Sequence, residues 1–357
     1  MAEQAAAEQE EKKGRLEEPA PKLILTSSPH QISQDSIERI MWTVVLSLAP
    51  ASLAGMYFFG WGALYVLIVS VCSTMAAEAI YQRLSGAKNT VTDGSAAVTG
   101  LLLGLTLPPG SPWWLCVIGG FFAIIICKQL YGGLGFNPFN PALMSRVFLL
   151  IAFPLQMTTW PVPRALFSGI DASTGATPLG ELQIARLTGK GIGKAAELNI
   201  WDAFSGNVGG SIGEVSAIAL LIGAAYLIYK QYITWHIPVS MIGTVMIFSG
   251  IFWMIDPSKY ANPVFHLFTG GLIIGAFFMA TDMVTCPVTL KGQLLFGFGC
   301  GLITVIIRMW GGYPEGVSFA IVLMNIVSPM IDRYLRPVRY GAVKKLEVRS
   351  KKLDVRR

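Results

Sequence analysis

GSAAVTGLLLGLTLPPG, residues Gly94 to Gly110, is the stretch on which the fold turns. About a dozen small or apolar residues at roughly 1.5 Å each reach about 18 Å, short of the roughly 20 residues needed to cross a bilayer. Pro108 and Pro109 then stop any helix, because proline lacks the N–H and its ring clashes with the preceding turn. The segment is too apolar for a surface loop and too short for a span. It reads as a half-helix inside a broken membrane segment, capped by Asp93 or Ser95 and closed by the prolines.

The rest of the chain fits that reading. Hydrophobic residues make up 53% and charged residues 13%, against about 25% charged in soluble domains, and mean hydropathy is +0.56. The apolar runs are continuous rather than alternating, so the chain is expected to be an all-α polytopic membrane protein and not a barrel. Spans are expected at 40–59, 62–81, 113–131, 140–157, 214–230, 236–255, 264–281, 290–309 and 316–335, with 95–107 as a tenth, broken one. The opening MAEQAAAEQEEKKGRLEEPAPK is charged and has no apolar core of a signal peptide, so the first span is expected to direct insertion itself.

The halves echo each other. Gly100-Leu-Leu-Leu-Gly104 after Thr99 recurs as Gly271-Leu-Ile-Ile-Gly275 after Thr269-Gly270, and the second copy runs into TDMVTCP, Thr281 to Pro287. GGLGFNPFNPALM is answered by GGYPEGVSFAIVLM. The order suggests two five-helix repeats, and an odd number of spans per repeat inverts the second, an architecture whose paired broken segments point to a midplane site. Chance similarity between Gly/Leu-rich helices is the alternative. The expected divisions are 1–38 as a cytoplasmic segment, 39–157 and 214–335 as the repeats, 158–213 as a loop and 336–357 as a tail.

Charge sets orientation. After Leu335 come Arg336, Arg339, Lys344, Lys345, Arg349, Lys351, Lys352, Arg356 and Arg357 against Glu347 and Asp354, which places the C-terminus in the cytoplasm. Ten spans put the N-terminus there too, with Arg83, Lys88, Lys128, Lys230 and Lys291 on the same side. The tail reads as a topology signal with affinity for anionic membrane lipid, not as a nucleic-acid site. The interval 158–213 then lies outside the cytoplasm.

That interval is far longer than the about 12–15 residues beyond which loops are uncommon in compact proteins, which suggests function or disorder. It contains DASTGATPL, Asp171 to Leu179. Thr177 can be a simple helix N-cap, with Pro178 at the first helical position and Glu181 in the first turn. Alternatively, small Gly175 and Ala176 leave room for a bulky group to reach the Thr177 hydroxyl.

STGATPL, together with TDGSAAVTGLLLGLTLPP, GGLGFNPFNPALMSR and FFMATDMVTCPVT, resembles the RnfD family, membrane components of Rnf ion-translocating oxidoreductases. NqrB, the homologous component of the sodium-pumping NADH:quinone oxidoreductase, is similar but usually longer at its N-terminus. The resemblance runs over roughly residues 23 to 340. It implies FMN joined by a phosphoester to the motif-final Thr177, with Asp171, Ser173, Thr174, Gly175 and Ala176 as its surround; Thr174 between Ser173 and Gly175 matches the Rnf version. It further implies a bacterial cytoplasmic (inner) membrane location, partner subunits of the A, B, C, E and G types, a separate flavin transferase, and a urea-transporter-like arrangement of the repeats. Electron transfer between ferredoxin and NAD coupled to Na⁺ or H⁺ movement is the implied activity. A riboflavin-type, non-covalent flavin between Asp93–Pro109 and Thr269–Pro287 is a further implication.

Other centres find little support in the residues. Cys72, Cys116, Cys127, Cys286 and Cys300 form no CxxC pair and read as buried small hydrophobes. His236 and His266 begin spans from opposite sides, against a bis-His haem. No Walker or Rossmann motif has strand context; GLLLGLTL is a helix-packing pattern. Glu78, Asp93 and Asp282 are candidates for an ion or second-flavin pathway, although these, Lys128 and Arg308 sit near span ends and equally fit solvated interfacial positions. Asn137 and Asn140 resemble half-helix caps of pores or plain turn residues. A urea-transporter-like channel or transporter without a redox role is the alternative function, and STGATPL separates the two, since a passive channel has no use for a tethered flavin.

Overall fold

The structure, a computed structural model, describes residues 35–87, 89–161, 174–188, 200–206, 209–214 and 216–336. Asp171, Ser173, most of the N-terminal segment and nearly all of the basic tail, with the expectations placed on them, lie outside the described residues. The compact unit begins at Ile37.

The first half runs α1 (Ile37–Phe59), α2 (Trp61–Ser85), α3 (Ser95–Thr106), α4 (Trp113–Phe121) and α5 (Pro141–Ala152). α4 continues through a π turn at Phe122–Ile126 into a 3₁₀ turn at Gln129–Tyr131. Between the halves lie α6 (Pro154–Met157), α7 (Pro178–Leu187) and α8 (Ile200–Ser205), with a two-residue ribbon of β1 (Trp160–Pro161) against β2 (Thr174–Gly175). The second half runs α9 (Ala217–Tyr229), α10 (His236–Ile255), α11 (Pro263–Phe268), α12 (Leu272–Ile274, winding into a π turn at Gly275–Met279), α13 (Leu290–Trp310) and α14 (Val317–Tyr334).

Among the described residues, six helical segments are long and apolar enough to cross a membrane: α1, α2, α4 with its extension to Tyr131, α10, α13 and α14. The chain is thus a helical, multi-pass membrane protein. Three expected spans are shorter than read from hydropathy. The span expected at 140–157 ends as a helix at Ala152, because Phe153 precedes Pro154 and takes a non-helical conformation. The span expected at 214–230 is helical only from Ala217, where the Ser216 hydroxyl caps by accepting from Ala219 N at 3.3 Å. The span expected at 264–281 is broken at Thr269–Gly271, where Gly270 adopts φ +72°.

The half-helix is present as expected. Asp93 Oδ1 accepts from Ser95 N at 2.8 Å at its start, and at its end the carbonyls of Leu105 and Leu107 accept from Gly213 N at 2.6 Å and Ile212 N at 3.3 Å. Those carbonyls would otherwise be orphaned. α3 packs tightly on α2 because Gly100 faces Thr74 and Val71: a Cβ there would come within 2.3 Å of Thr74 Oγ1. Across the halves, α1 packs on α9 and α5 on α14.

The side chains decide one open alternative and correct one expectation. Glu78 and Lys128 are not solvated: they are 0% and 2% exposed, and Arg308 is buried as well. Cys72 is exposed on the outer face of α2 rather than buried, whereas Cys116, Cys127 and Cys300 are buried.

Candidate functional site

Thr177 stands at the N-terminus of α7, and the local chemistry is the helix start that its sequence suggests. Its hydroxyl oxygen accepts from Gly180 N at 3.1 Å, Pro178 follows in the first turn, and Glu181 completes that turn. The cap uses the oxygen as acceptor only, so the hydroxyl hydrogen is not committed to it. Gly175 and Ala176 are exposed and Thr177 is partly exposed. β1 pairs Trp160 with Gly175 and Pro161 with Thr174, tying the motif back to the end of the first half.

α7 is clamped to the membrane core along one face. Leu179 and Leu182 pack with Ala261 and Phe265. Gln183 Nε2 donates to the carbonyls of Gly311 and Gly312 at 3.1 and 2.8 Å. Arg186 donates to those of Arg308 and Met309 at 3.0 and 2.6 Å, and lies 5.5 Å from the Tyr260 ring centre. Side chains of α7 thus satisfy the C-terminal carbonyls that α13 cannot bond internally.

Thr177 opens on a cleft of about 340 Å³ whose walls include Trp160, Tyr313, Arg146 and Glu315. Beside it a smaller hollow of about 20 Å³ is lined by Thr177, Thr269, Gly270, Glu214 and Glu315. These join a charge cluster drawn from both halves. Arg146 of α5 is hydrogen-bonded to Glu315 and lies 3.8 Å from Glu214 Oε1. Arg308 of α13 donates to the carbonyls of His266 and Thr269 at 2.6 and 3.0 Å. Glu214 and Glu315 sit in the connections before α9 and α14. Burial, and then the adjacent Glu315 charge, push the Glu214 carboxyl well above the usual range. Burial opposes ionisation of Glu315 too, but Arg146, the hydrogen bond from Glu214 and Arg308 outweigh it and hold that group low. Of this cluster, sequence reasoning singled out only Arg308, as a residue near a span end that fitted a functional or an interfacial position equally. Arg146, an ionisable side chain within an apolar helix, was the signal that could have exposed the rest.

The other predicted residues meet at a second place. Lys128 Nζ donates to Glu78 Oε1 and Oε2 at 2.9 and 3.2 Å and to Ser95 Oγ at 2.6 Å, and Ser95 Oγ in turn donates to Asp93 Oδ1 at 2.6 Å. Glu78 and Asp93 thus belong to one network at the start of α3. Asp282 is not hydrogen-bonded to it, but shares with Ser95 and Lys128 the wall of a cavity of about 90 Å³. Asn140 caps α5, accepting from Ala142 N at 3.1 Å and Leu143 N at 3.3 Å, and donates to Met279 O at 3.2 Å, where the second broken segment ends. The residue thus caps a helix rather than standing in a plain turn.

A helical membrane protein with two interrupted segments and a Thr-headed cleft beside a buried charge cluster is the class so defined. Within that class the chain belongs to the NQR2, RnfD, RnfE family, whose pattern matches residues 24–341. It is 47% identical over 323 residues, 89% of this chain and 96% of the relative, to the D-type component of the proton-translocating ferredoxin:NAD(+) oxidoreductase complex of Clostridium ljungdahlii. It is 44% identical over 322 residues, 90% of this chain and 96% of the relative, to the D-type component of the Na(+)-translocating ferredoxin:NAD(+) oxidoreductase complex of Acetobacterium woodii. The D-type component of the ion-translocating oxidoreductase complex of Stutzerimonas stutzeri is 44% identical over 329 residues, covering 86% of this chain and 93% of the relative.

Proposed function

We propose that Thr177 carries FMN through a phosphoester bond on the extracytoplasmic side of a bacterial inner membrane. The chain serves as a membrane subunit of an ion-translocating oxidoreductase complex, one that couples electron transfer between ferredoxin and NAD to movement of Na⁺ or H⁺. It acts with partner subunits of the A, B, C, E and G types and is matured by a flavin transferase. The observation that carries this reading is Thr177 itself: the last residue of STGAT heads α7 with its oxygen at the rim of a 340 Å³ cleft. That room lies within the about 300–1,000 Å³ of small-molecule sites. Trp160 and Tyr313 offer aromatic walls to a flat ring, and Arg146 offers a cation. The N-terminus of α7 favours a phosphate on Thr177, since the helix dipole and the Leu179 N–H attract negative charge, Pro178 having no N–H and those of Gly180 and Glu181 being bonded to Thr177. A bound flavin supplies one- and two-electron transfer, while the chain supplies its place.

The packing of α1 on α9 and of α5 on α14 supports two inverted five-helix repeats of urea-transporter-like arrangement, because an axis relating the halves brings corresponding helices together. We assign a second, non-covalent flavin of riboflavin type to the space between the interrupted segments. The cavity lined by Ser95, Lys128 and Asp282 has about 90 Å³ of room as it stands, so a tricyclic ring requires lining side chains such as Met283 and Leu134 to move aside.

Denaturing electrophoresis of membranes tests the covalent site. The native chain is expected to run as a fluorescent band, and Thr177→Ala to remove the fluorescence while the protein stays in the membrane. Fluorescence retained in that variant moves the attachment to Thr174 or Ser173.

A further inference from the structure

Covalent attachment at Thr177 does not account for the two carboxyl groups beneath it. Glu214 and Glu315 have side chains 7% and 16% exposed, and both reach the same nitrogen of Arg146, Glu315 Oε2 by a hydrogen bond and Glu214 Oε1 at 3.8 Å. Two ionised carboxylates crowded on one guanidinium nitrogen away from water repel each other, and one proton shared by the pair relieves that repulsion. Arg146 fixes where that proton resides: it is hydrogen-bonded to Glu315, which favours the carboxylate there and leaves the proton on Glu214. Among the described residues the Oε1 atom of Glu214 is buried with no hydrogen-bond partner, and 3.8 Å separates it from the Arg146 guanidinium. Glu214 also lines the 20 Å³ hollow shared with Thr177, which is large enough for a single water.

We infer that Glu214 and Glu315 form a one-proton store that exchanges with the Thr177 cleft through this hollow. The charged groups facing the pair are Arg146 from α5 and Arg308 from α13, with the Ser211 hydroxyl beside Glu214; His266 of α11 faces Arg308 rather than the carboxyls. The use of the store rests on the FMN reading. When one electron from a partner carrier enters the cleft, Glu214 would release its proton through the hollow to the flavin that Thr177 would hold, so that electron and proton together add no net charge there. The O–H bond of Glu214 breaks, and the carboxylate left behind lies beside Arg146. Loss of the electron returns the proton to Glu214. The two guanidinium groups make either state of the pair tolerable: the cluster carries one positive charge with the proton on and none with it off.

Infrared spectroscopy of the purified whole complex tests this. With glutamate carrying ¹³C in its carboxyl group, the native complex at neutral pH is expected to show a protonated-carboxyl band that shifts with the label, and the band should diminish on reduction. Glu214→Gln should abolish it, and Glu181→Gln, on the exposed face of α7, should leave it. The Thr177→Ala complex separates the two proposals. There the band should persist without responding to reduction, since the pair is intact but has no flavin beside it. A native complex with no label-sensitive band overturns the store by itself, even if Glu214→Gln fails to insert. A band surviving in Glu214→Gln overturns it as well. Fluorescence retained in Thr177→Ala overturns the attachment site and leaves the store standing.

Discussion

Breaking the Glu78–Lys128 pair one partner at a time should cost far more than removing both. Lys128 has three N–H donors, and all three are used, two on Glu78 and one on Ser95. Glu78 Oε1 accepts further from Gln129 Nε2 at 2.8 Å, Gln82 Nε2 at 3.3 Å and Thr90 Oγ1 at 3.3 Å. With both side chains out of contact with solvent, Lys128→Met leaves a buried carboxylate with neutral donors only. Glu78→Leu leaves a buried ammonium with a single hydroxyl. Each single change is expected to cost about 3–5 kcal/mol, whereas replacing both partners by apolar groups of similar volume is often neutral or stabilising. At the roughly 2–4 °C per kcal/mol found for somewhat smaller chains, each single variant should melt at least about 6 °C below the native protein. The Glu78→Leu/Lys128→Met double variant should recover most of that loss. Thermal unfolding of the four proteins in one detergent closes the cycle. Single variants that melt within about 2 °C of the native chain would show that the pair is reached by water, and would refute the burial on which the expected loss depends.

Two further outcomes concern topology and the second flavin. A Cys introduced near Asp171 should react with an impermeant thiol reagent in intact cells and one near Lys351 should not; the reverse pattern overturns the orientation drawn from the basic tail. Acid extraction of the purified complex should release flavin beyond the covalent FMN that co-purifies with this chain, and an active preparation yielding none rules out the site between the interrupted segments.

The broken first segment was legible because its two limits are chemical. Asp93 can accept from the first helical N–H, and Pro108-Pro109 cannot continue a helix, so the letters alone drew a helix over 95–107, one residue longer than the observed Ser95–Thr106. The second break was less legible because no proline marks it: it depends on one glycine at φ +72°, and glycines abound in helices where they serve close packing instead. Thr177 was legible for a similar local reason, a hydroxyl oxygen that accepts from the N–H three residues on, as the Asp93 carboxylate accepts from the N–H two residues on. Burial of Glu78 was not. It lies about two turns from the end of α2, and only the arrival of Lys128 from another helix, fifty residues on, makes the position dry. The charge cluster at Thr177 failed to appear for the same reason, since Arg146 and Glu315 are 169 residues apart in sequence.

α3 joins these two places mechanically. Its N-terminus is held by Asp93 and, through Ser95, by Lys128; its C-terminal carbonyls are held by Ile212 and Gly213, immediately before Glu214. Because α3 has 12 residues, about 18 Å of rigid helix separates the two ends. A shift of α3 along its axis would therefore act on both networks at once, on Ser95 against Lys128 at one end and on the backbone leading into Glu214 at the other. The tight seat of Gly100 against α2 opposes such a shift, since side-chain and backbone atoms of Thr74 and Val71 leave no room for a Cβ. The half-helix thus holds the two polar sites in a fixed register, and the broken segment places polar groups at both ends of a helix without exposing its backbone to lipid.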